Sequence, residues 1–343
     1  MWDKLHQKWQ YLEFGRKQQL AFLEDLSALV KDGVPANQAV KVMQDTTKGI
    51  FKEVAMGINE RIGQGQPVAT GMEKWFSPAT VEIVRAGESS GTLAEAIESA
   101  AASLAQQTNA LVEFVNSTLY PFVIFASSLV MLVFIKSSVL TNFADIKPVS
   151  TWPGVGQNLY YTASFLDNWW WLILLVLIGF FMALWEMLTQ LVGPSRKYVD
   201  QVPLLSLYRE TTAARFMETL GLLLSNGVTL NKSLRIMHQD AQPYLAWHLW
   251  MMEIRLSGGK ENIADVLDTD LIGEEDLMRL KVVAKGKGFE HALLSLGKKA
   301  NRLAAKKIIV SGKVVGALFL MLGALMAATV VFGIYTIGSI IAA

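Results

Sequence analysis

Three stretches of the sequence carry no charged side chain: Phe114 to Ile135 over 22 residues, Asn168 to Trp185 over 18, and Val314 to Ala343 over 30. About 20 mostly apolar residues suffice for a helix to cross the hydrocarbon core of a bilayer. A soluble chain has no use for three such helices, so the expected class is an all-α membrane protein. Composition agrees: 18% of residues are charged, against about 25% in a typical soluble domain.

Each stretch has further features of a membrane helix. Pro121 lies early in the first, where a missing backbone N–H predicts a kink. Trp169, Trp170 and Trp171 open the second and suit a membrane–water interface. The second closes near Trp185 and Glu186. A carboxylate beside a span is a functional hypothesis by default, but Glu186 is near the end and is expected to snorkel. The third stretch makes about 45 Å of helix against a core of about 30 Å, so tilt or protrusion is expected.

Basic residues set the orientation. Residues 137–167 hold only Lys147, with Lys136 at their edge, and the other 29 Lys and Arg flank the spans on the opposite side. The positive-inside rule then places the N-terminus in the cytoplasm and the C-terminus outside. The opening MWDKLHQKWQ lacks the apolar core and cleavage site of a signal peptide, so the first span is expected to act as internal signal and anchor. The implied division is an amphipathic segment at 1–16, a cytoplasmic helical module at 17–113 and a span at 114–136. An external loop at 137–167 and a span at 168–192 follow, then a second cytoplasmic module at 193–307 and a span at 308–343. In the first segment Trp2, Leu5, Trp9 and Leu12 share one helical face, which suits either a membrane interface or packing on the first module.

The two modules repeat each other. Phe22, Glu24, Leu26, Leu29, Gly33, Val34, Asn37 and Met43 recur 194 residues later as Phe216, Glu218, Leu220, Leu223, Gly227, Val228, Asn231 and Met237. A fixed offset over this many positions marks an internal duplication. Leu20, Leu23, Leu26, Leu29 and Val30 have helical spacing, Gly33 ends that helix and Pro35 suits the next helix's first turn. Ser77-Pro78 reads as a helix start, and Thr92 with Glu95 as a capping box. The last helix of each module is expected to run into the following span.

The segment Val84 to Leu93, VRAGESSGTL, resembles the Gly-Glu-x-x-Gly-x-Leu signature of the type II secretion F-domain family, through Gly87, Glu88, Gly91 and Leu93. Phe22 to Met43 resembles that domain's opening helices. The order module, span, loop, span, module, span extends the resemblance over nearly the whole chain. It implies a platform protein of type II secretion or type IV pilus machines in the bacterial inner membrane, with the loop and C-terminus periplasmic. Implied partners are a cytosolic secretion or pilus-assembly ATPase, pilins, other machine components of that membrane, and further copies of the chain as a homo-oligomer. The platform would couple the ATPase to pilin insertion into, or removal from, the filament. The second module departs from the signature, reading Ala284-Lys285-Gly286-Lys287-Gly288-Phe289.

No enzyme motif is present. There is no P-loop and no His-Glu-x-x-His. There is no cysteine, and the four histidines are scattered. No cofactor or metal is expected. A net charge of +1 argues against nucleic acid as a partner. The family-signature residues Gly33, Gly87, Glu88, Ser90, Gly91, Leu93 and Gly227 are expected to shape turns or meet partners. For Glu88 the favoured role is to accept backbone N–H groups where one helix of the module gives way to the next.

Charge differs between the copies: residues 1–113 carry a net −3 and residues 193–313 a net +5. Lys298, Lys299, Arg302, Lys306 and Lys307 lie just cytoplasmic of the third span, suited to anionic lipid at about 1 kcal/mol each, or to an acidic patch on the ATPase. Gly312, Gly316, Gly323 and Ala327 recur near one helical face and permit close helix approach, within the chain, between copies of it, or to the hydrophobic helix of a pilin. The rivals are a small transporter and a scaffold without ATPase contact. A transporter carries its repeat inside the membrane, with polar groups at the midplane, whereas this repeat lies outside the apolar stretches.

Overall fold

The computed structural model describes residues 14–106, 109–193, 196, 200, 203–259, 262–284 and 288–341. The expected amphipathic segment at the start and Lys285-Gly286-Lys287 fall largely or wholly outside them. The described residues are helical, with no strand among them. The chain forms two compact units, one holding both modules and the other the apolar helices.

In the first unit, module one comprises α1 (Arg16–Lys31), α2 (Ala36–Thr46), α3 (Ile50–Gly63), α4 (Val68–Met72), α5 (Pro78–Ser90) and α6 (Leu93–Gln106). Two of the sequence signals act where expected. Ser77 caps α5 by accepting the Thr80 N–H, with Pro78 in the first turn. α1 ends in a Schellman motif: the Val34 N–H donates to Leu29 O at 3.1 Å and the Gly33 N–H to Val30 O at 3.1 Å. This geometry needs a left-handed residue, and Gly33 sits at φ 85°. The core of the module gathers Phe22, Leu26, Met43, Ile58, Met72 and Ile97. Phe14 stands edge-on to Trp75 and Phe76, with ring centres 5.9 and 5.5 Å away.

Module two repeats this with α10 (Pro203–Ser225), α11 (Leu230–Gln239), α12 (Pro243–Ser257), α13 (Ile263–Val266), α14 (Glu274–Val283) and the first turns of α15 (Phe289–Ile341). Its α10 ends in the same motif, Val228 N–H to Leu223 O at 3.0 Å and Gly227 N–H to Leu224 O at 2.9 Å, with Gly227 at φ 83°. Gly65 and Gly259 also match, both at φ 76°. The duplication read from residue types is therefore a duplication of backbone.

The second unit contains α7 (Asn109–Ile135), α8 (Thr141–Ile146), α9 (Gly154–Gln190) and the later part of α15. Helices over Val112–Ile146, Gly154–Gln190 and Phe289–Ile340 are long and apolar enough to cross a membrane. The loop expected at 137–167 is helical over most of its length. A π-turn at Lys136–Leu140 joins α7 to α8, and α9 starts at Gly154. Charge ends an apolar stretch without ending a helix: the backbone ladder continues past Lys136, whose ammonium is paired with Asp167 of α9 at 2.8 Å. The three helices share a core of Leu132, Leu140, Trp152, Leu159 and Ile337. Pro121 is accommodated inside α7 without a break.

Candidate functional site

Four places hold the candidate residues or a buried charge: the signature turn, the C-terminal end of α9, a basic face on α15, and the seam between α7 and α15.

At the signature turn every family residue has a local task. Gly87 lets α6 lie directly on α5: a Cβ there would stand 2.2 Å from the Ala96 Cβ and 3.0 Å from Thr92 O. Gly91 takes the left-handed conformation at φ 77°. Ser90 Oγ donates to Ala86 O at 2.9 Å and meets Thr92 Oγ1 at 2.8 Å. Leu93 packs on the module core. Glu88 does accept backbone N–H groups, but from α4 rather than from the helix that follows: Val68 at 2.9 Å and Ala69 at 3.2 Å. Proline at position 67 leaves α4 without a side-chain cap of its own, and its first free N–H groups carry the positive end of the helix dipole.

Nothing in the sequence pattern singles out the next feature. Arg196, buried, follows α9 by a few residues. Its Nη1 donates to Leu188 O at 3.0 Å and Leu191 O at 3.3 Å, and its Nε to Asp200 Oδ1 at 2.9 Å. A guanidinium thus satisfies carbonyls at the C-terminal end of a membrane-length helix, where a cation is favoured. Tyr244 OH donates to the other Asp200 oxygen at 3.2 Å, and its ring lies 4.4 Å under the guanidinium. Burial, then the Asp200 charge, raises the Tyr244 pKa. Next to it His248 meets Thr269 Oγ1 at 3.1 Å. Burial pushes the His248 pKa down to about 4, against weaker opposing effects of Thr269 and Asp200.

On α15, Lys298, Lys299 and Arg302 line one shallow groove with His291, Ser295 and Leu303. Lys306 and Lys307 lie further along the helix and are exposed. The buried side of the same turns packs on α10 through two glycines. A Cβ at Gly221 would meet Leu294 N at 2.7 Å, and one at Gly297 would meet Glu218 N at 2.4 Å. Beside them Glu218 is buried, accepts from Asn301 Nδ2 at 3.0 Å, and has its pKa raised by burial.

In the second unit the small residues of α15 divide in two. Gly312 and Gly316 press on α7: a Cβ at Gly316 would stand 2.9 Å from Ser117 O and 3.1 Å from Pro121 Cγ. Ser117 is four residues before Pro121, so its carbonyl lacks the usual helical donor. Thr118 Oγ1 donates across the seam to Gly312 O at 3.3 Å. Gly323 and Ala327 instead line an apolar groove of about 730 Å³ with Ile124, Ser127, Ser128 and Met131. Glu186 is exposed on α9.

A twice-built helical module is joined to three membrane-length helices, and its signature residues shape one turn and hold α4 beside it. Among the described residues no three His, Asp or Glu side chains could share a metal ion. Residues 22–141 match the family model of type II secretion system (T2SS) protein F. The toxin coregulated pilus biosynthesis protein E of Vibrio cholerae is 22% identical over 300 residues, 85% of this chain and 88% of that one. Type II secretion system protein F of Xanthomonas campestris is 26% identical over 220 residues, 61% of this chain and 54% of its own. Type IV pilus assembly protein PilC of Thermus thermophilus is 26% identical over 237 residues, 65% and 57%. The alignment thus spans little more than half the length of the last two. Over residues 22–141, and more distantly over most of its length, the chain is similar to the protein F family of type II secretion and type IV pilus proteins. None of these names denotes an enzyme.

Proposed function

We propose that the chain is an assembly platform in the bacterial inner membrane, coupling a cytosolic secretion ATPase to the insertion of pilin into a filament or its removal. The observation that carries this is α15, an unbroken helix of 53 residues from module two to the end of the third span, about 80 Å long. A continuous helix transmits displacement that a flexible linker would dissipate. The modules lie in the cytoplasm, by the distribution of Lys and Arg, and the C-terminus is periplasmic. The ATPase docks on the modules, and other machine components of the membrane surround them. The apolar groove beside Gly323 and Ala327 receives the hydrophobic helix of a pilin. The basic face of α15 rests against anionic headgroups. Relatives named for both a pilus and a secretion system support the machine class without choosing between its two forms.

The test is photocrosslinking in native membranes, with a reactive residue at Lys299 or at Ala327. The expected products are a secretion ATPase or anionic lipid from the first position and a pilin from the second. Recovery of neither protein from any position tried on the modules or the groove would overturn the reading.

A further inference from the structure

The two modules are copies, yet they meet through unlike surfaces. Module one contributes α5 and α6, and module two contributes α10 and α11. Leu222, Leu223, Val228 and Ile236 of module two are buried within the apolar core of module one. Lys232 on α11 pairs with the buried Glu82 of α5, which also holds Arg85 at 2.8 Å.

Each half of this interface has a counterpart elsewhere in the chain. At the offset of 194, Leu222, Leu223, Val228, Lys232 and Ile236 correspond to Ala28, Leu29, Val34, Gln38 and Val42. Those residues form a face of α1 and α2 that is open. Ala28, Gln38 and Val42 are exposed and Leu29 and Val34 half-buried. Val42 is 42% exposed where Ile236 is 9%.

The other half recurs on α14. The helix-capping positions Ser77 and Gly273 align α5 with α14 and bring the buried pairs Val81 with Leu277 and Val84 with Leu280 into register. Arg85 and Lys281 then also correspond, and each reaches back to a carboxylate before its helix, Glu73 at 2.5 Å and Asp268 at 3.0 Å. In this register Glu82 becomes Met278 and Ala86 becomes Val282. Met278 is 55% exposed and Val282 75%. An apolar pair thus stands in the open where module one has its covered face.

We propose that the chain self-associates head to tail, the α14 face of one copy (Met278, Val282) docking on the α1–α2 face of the next (Val34, Gln38, Val42). The contact between copies repeats the contact between modules. An interface of unlike surfaces is heterologous, so its repetition makes a ring where the rotation closes and an open arc where it does not. The basic excess of module two comes from Lys298 to Lys313 on α15 and not from α14, so apolar burial rather than charge carries this contact. Gln38 with Met278 replaces the Lys232–Glu82 ion pair, so the contact between copies lacks the charge pair that fixes register within the chain. This assembly is independent of the ATPase: a platform that assembles this way and binds no ATPase would contradict the proposed function and leave this inference standing.

The sequence contains no cysteine, which makes the test clean. Chains carrying Gln38→Cys and chains carrying Met278→Cys are co-expressed full length, and their membranes are treated with a short bismaleimide. The mixture is expected to yield crosslinked dimers, and neither variant alone. Both cysteines on one chain should yield a ladder of higher species. Adding Val282→Glu to the Met278→Cys chain should cut the mixed crosslink at least fivefold. No crosslink in the mixture, an equal yield from either variant alone, or indifference to Val282→Glu would each overturn the proposal.

Discussion

Glu88 shows how a signature residue can be structural without being inert. Its carboxylate holds two backbone N–H groups of α4 from 20 residues away in sequence. Glu88→Ala should therefore lower stability by about 1–2 kcal/mol, read as a lower melting point in detergent, with retained membrane insertion. Arg196 carries more. Replacing it with Ala strips Asp200 of its buried counter-charge, a change that costs about 3–5 kcal/mol. A sharp fall in thermal stability is expected, and no change would refute the role given to this cation. His248 makes module two sensitive to acid. Its folded pKa, pushed down to about 4, lies below the unfolded value near 6.5. The unfolded chain then binds the extra proton, so stability is full above pH 6.5 and is lost as pH falls toward 4. The whole effect is about 3 kcal/mol. In His248→Gln the melting point should respond less to pH across that window.

At the scale of elements, what could be read from the residues and what could not divide along physical lines. The apolar stretches, the Gly33 and Gly227 stops and the Ser77-Pro78 start are local signals, visible within a few residues. The task of Glu88 depends on α4 being beside α5, and that of Arg196 on α9 ending beside α12. Neither adjacency leaves a periodic trace. Residues 136–167 are mostly helical although their hydropathy falls, because hydropathy reports lipid contact and not backbone hydrogen bonding. Met278 and Val282 have helical spacing and would pass for core, since sequence alone cannot say whether a partner covers them. The α7–α15 seam offers a direct check. Gly316→Leu cannot fit against Ser117 O and Pro121, so it should separate the two helices. A crosslink between Ser128→Cys and Met326→Cys, whose native side chains meet at 4.0 Å, is expected with Gly316 in place and should then be lost.

Across the whole molecule, duplication is the organising fact. The same module is built twice, with backbone turns in register, yet its surfaces are used unequally: one α5-type face is covered and the other open. The membrane helices show a parallel division, close packing at Gly316 and an open groove at Ala327. The proposed partners of these open faces are a second copy of the chain and a membrane helix, which suits a platform better than an isolated carrier. In the proposed function, motion passes from module two into the membrane through α15. Three glycines inserted between Ala305 and Lys306 would break that helix while leaving both ends chemically intact. Filament assembly measured in cells is predicted to cease while the protein stays at its normal level in the membrane and still crosslinks to its ATPase. Filaments formed at the unmodified rate with the insertion in place would contradict the claim.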